Sequence, residues 1–134
     1  MITNKIVVRY QDGRVIKGRT NDFMPGKELL HIIPEDAQHD TKPLPISVTE
    51  LKAIFFVKDF HGDPQYKDKK AFDEKKPVSG RKIKVVFLDG ELLMGTTHSY
   101  QPGRPGFFVF PADSMDNNER CYVISSATKG VSLI

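Results

Sequence analysis

The chain has 134 residues, a net charge of +3 and a single cysteine, Cys121. This length fits one ordinary domain or two very small ones. No apolar run approaches the roughly 18 residues of a membrane-spanning segment, and the first residues predict a strand rather than a secretory signal. A lone cysteine excludes an intrachain disulfide and a cysteine-built zinc site, so we expect a buried structural thiol and a cytoplasmic protein.

The charge is spread unevenly along the chain. Residues 1–57 carry 8 basic and 7 acidic side chains, residues 58–81 carry 7 and 5, and residues 82–134 carry 5 and 5. The small excess therefore lies in the first part and the middle of the chain. Such a balance tolerates an anionic partner without requiring one.

Residues 5–57 and 82–134 follow one pattern, offset by 77 positions without a gap. The coincident residues are those that set backbone geometry: Asp12-Gly13 matches Asp89-Gly90, Gly18 matches Gly95, and Pro25-Gly26 matches Pro102-Gly103. A repeat of this kind indicates a duplicated structural unit. It predicts a first unit at 1–57, a charged linker at 58–81 and a second unit at 82–134.

Each unit is predicted to form five short strands. In the first strand, Ile6, Val8 and Tyr10 alternate with polar residues, which is typical of a half-buried strand. The other predicted strands follow from similar apolar runs between turn residues. The predicted strands of the first unit are 5–11, 14–20, 28–33, 46–48 and 52–57, and those of the second unit are 82–88, 91–97, 106–110, 121–125 and 129–134.

Glycines and prolines predict how the strands connect. An Asp-Gly pair between two apolar runs favours a hairpin after the first strand. The glycine near the end of the second strand, Gly18 or Gly95, marks a tight bend or a close approach of backbone. Pro25-Gly26 and Pro102-Gly103 fit the central positions of type II turns.

The segment between the units is strongly polar, since 12 of its 24 residues are charged. Asp63-Pro64 is a suitable start for a short helix that would run to about Lys76. An irregular, solvated linker explains the same composition equally well. The sequence leaves these two alternatives open.

The order of apolar strand, Asp-Gly turn, apolar pair and glycine resembles the Sm-like small β-barrel, whose superfamily includes a bacterial RNA chaperone. The matching stretches are Ile6–Gly18 and Ile83–Gly95. The resemblance implies an all-β fold of two tandem five-stranded barrels of the Sm-like or SH3-like type. It also implies RNA contacts from the loop after the second strand, where Asn21-Asp22-Phe23 and His98-Ser99-Tyr100 stand.

Two further stretches resemble a family of uncharacterised bacterial proteins. They are the segments 51–60, LKAIFFVKDF, and 106–113, GFFVFPAD. This second resemblance supports the architecture but implies no activity.

A basic surface is predicted on the first unit. Arg9, Arg14, Lys17 and Arg19 lie on two adjoining predicted strands, and Arg9 alternates with the buried positions of its strand. Such a patch on a two-stranded ribbon is suited to neutralising phosphates. A solvated strand face that discourages aggregation explains the same residues. The second unit does not repeat the patch, because Val86, Glu91, Met94 and Thr96 replace these residues.

The Pro-Gly turns are a second candidate site. Each turn combines an aromatic residue with a cation: Phe23 with Lys27, and Tyr100 with Arg104. A ring and a cation on a rigid turn are able to hold a base or an anionic small molecule. Ordinary turn composition is the alternative explanation.

Nothing in the sequence points to catalysis, a metal or a cofactor. It contains no nucleophile elbow, phosphate loop, dinucleotide fingerprint or zinc-hydrolase motif, and its four histidines lack ligand spacing. We therefore expect a non-enzymatic binding or assembly module with a protein partner or self-association, and three such chains would form a six-unit ring. The alternatives are RNA binding by the basic surface and nucleotide sensing by the Pro-Gly turns. No membrane partner is expected.

Overall fold

The computed structural model describes residues 3–38, 41–60, 80–113 and 117–134. Its elements in these ranges are ten strands and two 3₁₀ turns, Val48–Glu50 and Ser125–Ala127. All ten predicted strands are present, although the fourth strand of each unit begins earlier than predicted. The strands are β1 (Asn4–Tyr10), β2 (Val15–Thr20), β3 (Leu29–Pro34), β4 (Leu44–Ser47), β5 (Leu51–Val57), β6 (Arg81–Phe87), β7 (Leu92–Thr97), β8 (Gly106–Pro111), β9 (Asn118–Ile124) and β10 (Thr128–Leu133).

The strands form one antiparallel sheet with the order β10-β6-β7-β8-β9-β5-β1-β2-β3-β4. Each unit therefore has the same internal order, in which its fifth strand lies beside its first and its fourth strand lies at the other end. The units join where β5 pairs with β9, from Ala53 opposite Val123 to Val57 opposite Asn118. We call this β5–β9 pair the seam. The free ends of the sheet are β4 and β10.

Two hydrophobic cores lie on opposite faces of the seam. Ile54 and Phe56 pack into the first core with Ile6, whereas Phe55 packs into the second core with Val85. All seven residues of β5 are buried. The sequence of β5, LKAIFFV, is a nearly continuous apolar run, which suits a strand that is covered on both faces. β9 is shared in the same way, with Tyr122 in the first core and buried Cys121 in the second.

The predicted turns are confirmed, with one refinement. Gly13 and Gly90 have φ values of +97° and +91°, and no described residue other than glycine has a positive φ. Asp12 is therefore not in the left-handed region, so the hairpin is a type I turn with a glycine bulge rather than a type I′ turn. In the first Pro-Gly turn the Lys27 N–H donates to the Met24 carbonyl oxygen at 3.1 Å.

Gly18 and Gly95 have equivalent environments, as the repeat predicts. A Cβ atom at Gly18 would lie 2.2 Å from the carbonyl oxygen of Ile33, and one at Gly95 would lie 2.1 Å from that of Phe110. Both contacts are to the backbone of the neighbouring third strand. Only glycine lets the second and third strands approach this closely, and this approach bends each unit.

Lys52, on β5, forms ion pairs with two carboxylates of the second unit. Lys52 Nζ lies 2.7 Å from Asp89 Oδ2 and 2.5 Å from Glu91 Oε1, on the hairpin of the second unit. Its side chain is only 11% exposed, and the ammonium group lies 4.6 Å from the ring centroid of Phe87. The hydrogen bond from Lys52, together with the backbone N–H of Glu91, lowers the pKa of Asp89.

The all-β prediction is confirmed, whereas two separately closed barrels are not seen. The ten strands form a single open sheet, because the edge of β5 that β1 leaves free pairs with β9 of the other unit. The predicted domain boundary at 57/58 falls at the end of β5, and the boundary at 81/82 falls after the first residue of β6; both stay a prediction. Most of the predicted linker, including the alternative helix, lies outside the described residues.

Candidate functional site

Four cations share one face of the β1–β2 ribbon. The register places Lys5 opposite Arg19, Val7 opposite Lys17, and Arg9 opposite Val15. Cross-strand partners in an antiparallel pair project from the same face, as do alternate residues along a strand. Lys5, Arg9, Lys17 and Arg19 therefore form one surface, which we call the basic face.

Two phenylalanines hold the basic face in place. The Arg19 guanidinium carbon lies 5.3 Å from the ring centroid of Phe60, and the Lys5 ammonium lies 6.0 Å from the same ring. Lys17 Nζ donates to the Phe60 carbonyl oxygen at 2.8 Å. Arg9 lies over the buried ring of Phe55 at 5.7 Å. Cation–π contacts of this length restrict the long side chains while leaving their outer edges in water.

The described residues do not neutralise the charge of the basic face. Within the described part of the chain, no carboxylate forms an ion pair with any of its four cations. Glu91 lines an adjacent hollow of about 230 Å³ together with Arg9 and Lys17, but its carboxylate is bonded to Lys52. The surface therefore offers four cations whose ion-pairing capacity is available to a ligand.

Arg14 was predicted with this group, and the structure separates it. Its Nε lies 2.8 Å from Asp12 Oδ2, and its guanidinium carbon lies 4.1 Å from the ring centroid of Tyr10. Tyr10 belongs to the first core, on the opposite side of the sheet from Arg9. The backbone N–H of Arg14 is the main cause of the lowered pKa of Asp12. The arginine thus stabilises its own hairpin.

The aromatic residues of the Pro-Gly turns pack against the sheet. Phe23 makes edge-on contacts with Phe56 and Tyr122, at centroid distances of 5.6 and 5.0 Å. The Gly26 N–H donates to the Tyr122 hydroxyl at 3.3 Å, which fastens this turn across the seam. Tyr100 contacts the buried ring of Phe107 at 4.8 Å. Both rings are therefore already engaged by protein.

The cations of these turns are exposed. Arg104 Nε donates to Gln101 Oε1 at 3.0 Å within its own turn, and Lys27 lies on the surface. Ligand binding by Phe23, Lys27, Tyr100 and Arg104 stays a prediction.

Asp22, in the loop after β2 that was predicted to contact RNA, is hydrogen-bonded within its own unit. Its carboxylate accepts hydrogen bonds from the Thr20 hydroxyl and the His31 backbone N–H, both at 3.0 Å, and lies 2.8 Å from His31 Nδ1. Burial raises the pKa of Asp22, but the hydrogen bonds from His31 and Thr20 outweigh burial and lower it overall. This loop is thereby anchored to β3.

No group of three or more metal-binding side chains occurs within the residues that the structure describes. None of the helices in the described ranges has the length and apolar character needed to cross a membrane.

Sequence reasoning missed Lys5, which belongs to the basic face, and Phe60, which contacts three of its cations. Lys5 was predictable, because the hairpin at Asp12-Gly13 fixes the register that brings it opposite Arg19. Phe60 was not, because it follows the last strand of its unit and nothing in the sequence says where the chain turns after Val57.

The chain matches a family of unknown function, DUF6982, over residues 2–134. It therefore belongs to that family. No curated protein and no solved structure matches it. The family supplies no activity.

Proposed function

We propose that the chain is a non-enzymatic binding module that holds single-stranded nucleic acid on the basic face. The observation that carries this proposal is the set of Lys5, Arg9, Lys17 and Arg19 on one side of the β1–β2 ribbon, which forms no ion pair with any described carboxylate. Lys5 and Arg9 are four residues apart, which is about 13 Å along a strand, and the two strands are about 5 Å apart. Four cations spread in this way cannot converge on one phosphate and suit a chain of phosphates.

The rings beneath the cations favour RNA or single-stranded DNA over a simple polyanion. Arg9 and Arg19 are restrained over Phe55 and Phe60. Guanidinium planes presented in this way are used by RNA-binding proteins as surfaces on which unstacked bases lie.

The test is fluorescence anisotropy with a labelled single-stranded RNA of about 12 nucleotides. Four phosphate contacts predict a slope of about −3 for the logarithm of affinity against the logarithm of salt concentration. The double variant Lys17→Gln/Arg19→Gln should weaken binding and reduce the slope by about 1.4. Arg14→Gln, which removes a cation outside the basic face, is the matched control and should leave both unchanged.

The outcome that contradicts the proposal is equally clear. Absence of binding at low salt, or an affinity that is the same at low and moderate salt, rules out the basic face as a nucleic-acid surface. An equal effect of Arg14→Gln and of the double variant would mean that binding follows net charge rather than this site.

We further propose that each unit is an opened variant of the Sm-like or SH3-like barrel. Support comes from the strand order, which is fifth, first, second, third and fourth in both units, and from the bend at Gly18 and Gly95. A cytoplasmic location is part of the same proposal and rests on the single buried Cys121.

The ends of the sheet weigh against a ring built by repeating the seam. β4 contains Pro45, which has no N–H to donate to an added strand. β10 presents Ser132 where β5 presents Phe55. If a second chain paired its β4 with β10, Lys129, which corresponds to Lys52, would face the first-unit hairpin of that chain. This hairpin carries the cation Arg14 where the second-unit hairpin carries Glu91. We propose that one chain is the working unit.

A further inference from the structure

A groove of about 500 Å³ lies at one end of the seam, where β1 begins, β5 ends and β9 begins. Its walls include Lys5, Phe56, Lys58, Phe110 and Arg120. Phe56 faces the first core and lies directly opposite Arg120 on β9. The groove therefore opens on the other side of the sheet from Phe55 and most of the basic face. Lys5, near the start of β1, also lines the groove, although its ammonium lies over Phe60 on the basic face.

Arg120 is held by two aromatic rings. Its guanidinium carbon lies 4.3 Å from the ring centroid of Phe56 and 5.2 Å from that of Phe108. None of the ion pairs formed among the described residues includes it. A guanidinium that is fixed by two rings presents its planar edge for two parallel hydrogen bonds, which is the geometry that phosphate and carboxylate groups accept.

The groove is basic overall. Lys5, Lys58 and Arg120 contribute three positive charges, and Glu119 contributes one negative charge. Because cations predominate in a concave surface, an anion is attracted more strongly there than to an isolated surface lysine. The charged part of a ligand is thus expected beside Arg120.

An aromatic ring is available in the same groove. Phe110 is 40% exposed, and the only ring beside it in the described part of the chain is that of His98, at 6.2 Å and edge-on. An exposed phenyl face near a cation is suited to stacking a planar, electron-delocalised group. The volume of the groove lies within the range of about 300–1,000 Å³ that small-molecule sites occupy.

We propose that this groove binds a mononucleotide, with its phosphate on Arg120 and its base against Phe110. The site is distinct from the surface proposed for single-stranded nucleic acid, since its arginine and its stacking ring belong to the second unit. The first unit has no counterpart, because Pro43 and Ile33 stand where Arg120 and Phe110 stand.

The test is isothermal titration calorimetry of the full chain with AMP, adenosine and inorganic phosphate as separate probes. AMP should bind more tightly than either fragment. Arg120→Gln should weaken AMP binding by roughly ten- to hundredfold, the effect of losing a charge-assisted pair. Phe110→Ala, at an exposed position, should reduce AMP binding to the level of phosphate alone.

The controls separate this proposal from the nucleic-acid proposal. Arg14→Gln and the double variant Lys17→Gln/Arg19→Gln should leave AMP binding unchanged, because those side chains lie outside the groove. The proposal is overturned if AMP gives no binding at about 5 mM ligand. It is also overturned if Arg120→Gln and Phe110→Ala both bind AMP as the unchanged protein does, or if phosphate alone binds as tightly as AMP.

Discussion

The two units share one backbone plan but differ in the outer face of their first and fifth strands. In the first unit this face carries Val7, Ala53 and Phe55, all of which are buried against the second core. In the second unit the equivalent positions are Lys84, Gly130 and Ser132, and all of them are exposed. This surface is thus apolar only in the first unit, where the second unit covers it. The side chains of each copy therefore suit its position in the pair, although the backbone plan is the same.

The hairpins of the two units differ in a matching way. In the first unit Arg14 pairs with Asp12 of its own turn. In the second unit Asp89 and Glu91 both bind Lys52 across the units. The hairpins thus differ at one charged position, Arg14 in the first unit and Glu91 in the second, and only the second hairpin binds the other unit.

The largest loss of folding stability should come from removing an apolar side chain that is buried between the units. Phe55→Ala removes a buried ring from the contact between the units and should lower the free energy of unfolding by about 3–5 kcal/mol. Urea unfolding followed by circular dichroism measures the change. Ser132→Ala, at the equivalent exposed position, should change stability by less than about 0.5 kcal/mol. Equal effects of the two substitutions would show that the units do not differ as described.

An intermediate loss of folding stability is expected at the equivalent glycines of the two units. Gly18→Ala and Gly95→Ala each force a methyl group against the backbone of a neighbouring strand and should each cost about 1–3 kcal/mol. Both losses should be similar, because the two contacts differ by only 0.1 Å. Gly130→Ala is the control, since nothing lies within 4 Å of its added Cβ. A loss at Gly18 without one at Gly95 would contradict the equivalence of the bends.

The smallest loss of folding stability is expected from removing the ion pairs of Lys52 with Asp89 and Glu91. Lys52→Met should cost about 1–2 kcal/mol at neutral pH, a modest value because Asp89 and Glu91 are about half exposed. Lys129→Met, at the exposed equivalent, is the matched control and should cost less than about 0.5 kcal/mol.

The loss in Lys52→Met should also depend on pH. The pKa of Asp89 is lowered in the folded protein, chiefly by the hydrogen bond from Lys52. A carboxylate of this kind adds stability above its unfolded pKa of about 4, and that stability is lost as the pH falls toward the folded pKa. The difference between Lys52→Met and the unchanged protein should therefore narrow below about pH 4. A difference that stays constant from pH 7 to pH 3 would contradict the pairing.

Most of the fold follows from local patterns in the sequence. Alternation in β1 and β6, the two Asp-Gly pairs and the two Pro-Gly pairs predict strands and turns, because each depends on short-range geometry. The seam does not follow from such patterns. The apolar run of β5 indicates burial on both faces, but nothing local specifies that β9 covers its second edge.

The candidate surfaces were predictable to different degrees. Arg9, Lys17 and Arg19 follow from strand alternation, and the same alternation places Arg14 on the other side of the sheet, where it contacts Tyr10. The mononucleotide groove was not predictable, since Arg120 and Phe56 are brought together only by the seam.

The seam also has a consequence for how the protein is made. Ala53 must find Val123, about 70 residues later in the chain. Until the second unit leaves the ribosome, β5 has an unsatisfied hydrogen-bonding edge and an uncovered row of apolar side chains. Long-range pairing of this sort is slow, and an exposed apolar strand is prone to aggregate while it waits. The newly synthesised first unit is therefore the stage at which this protein most needs protection in the cell.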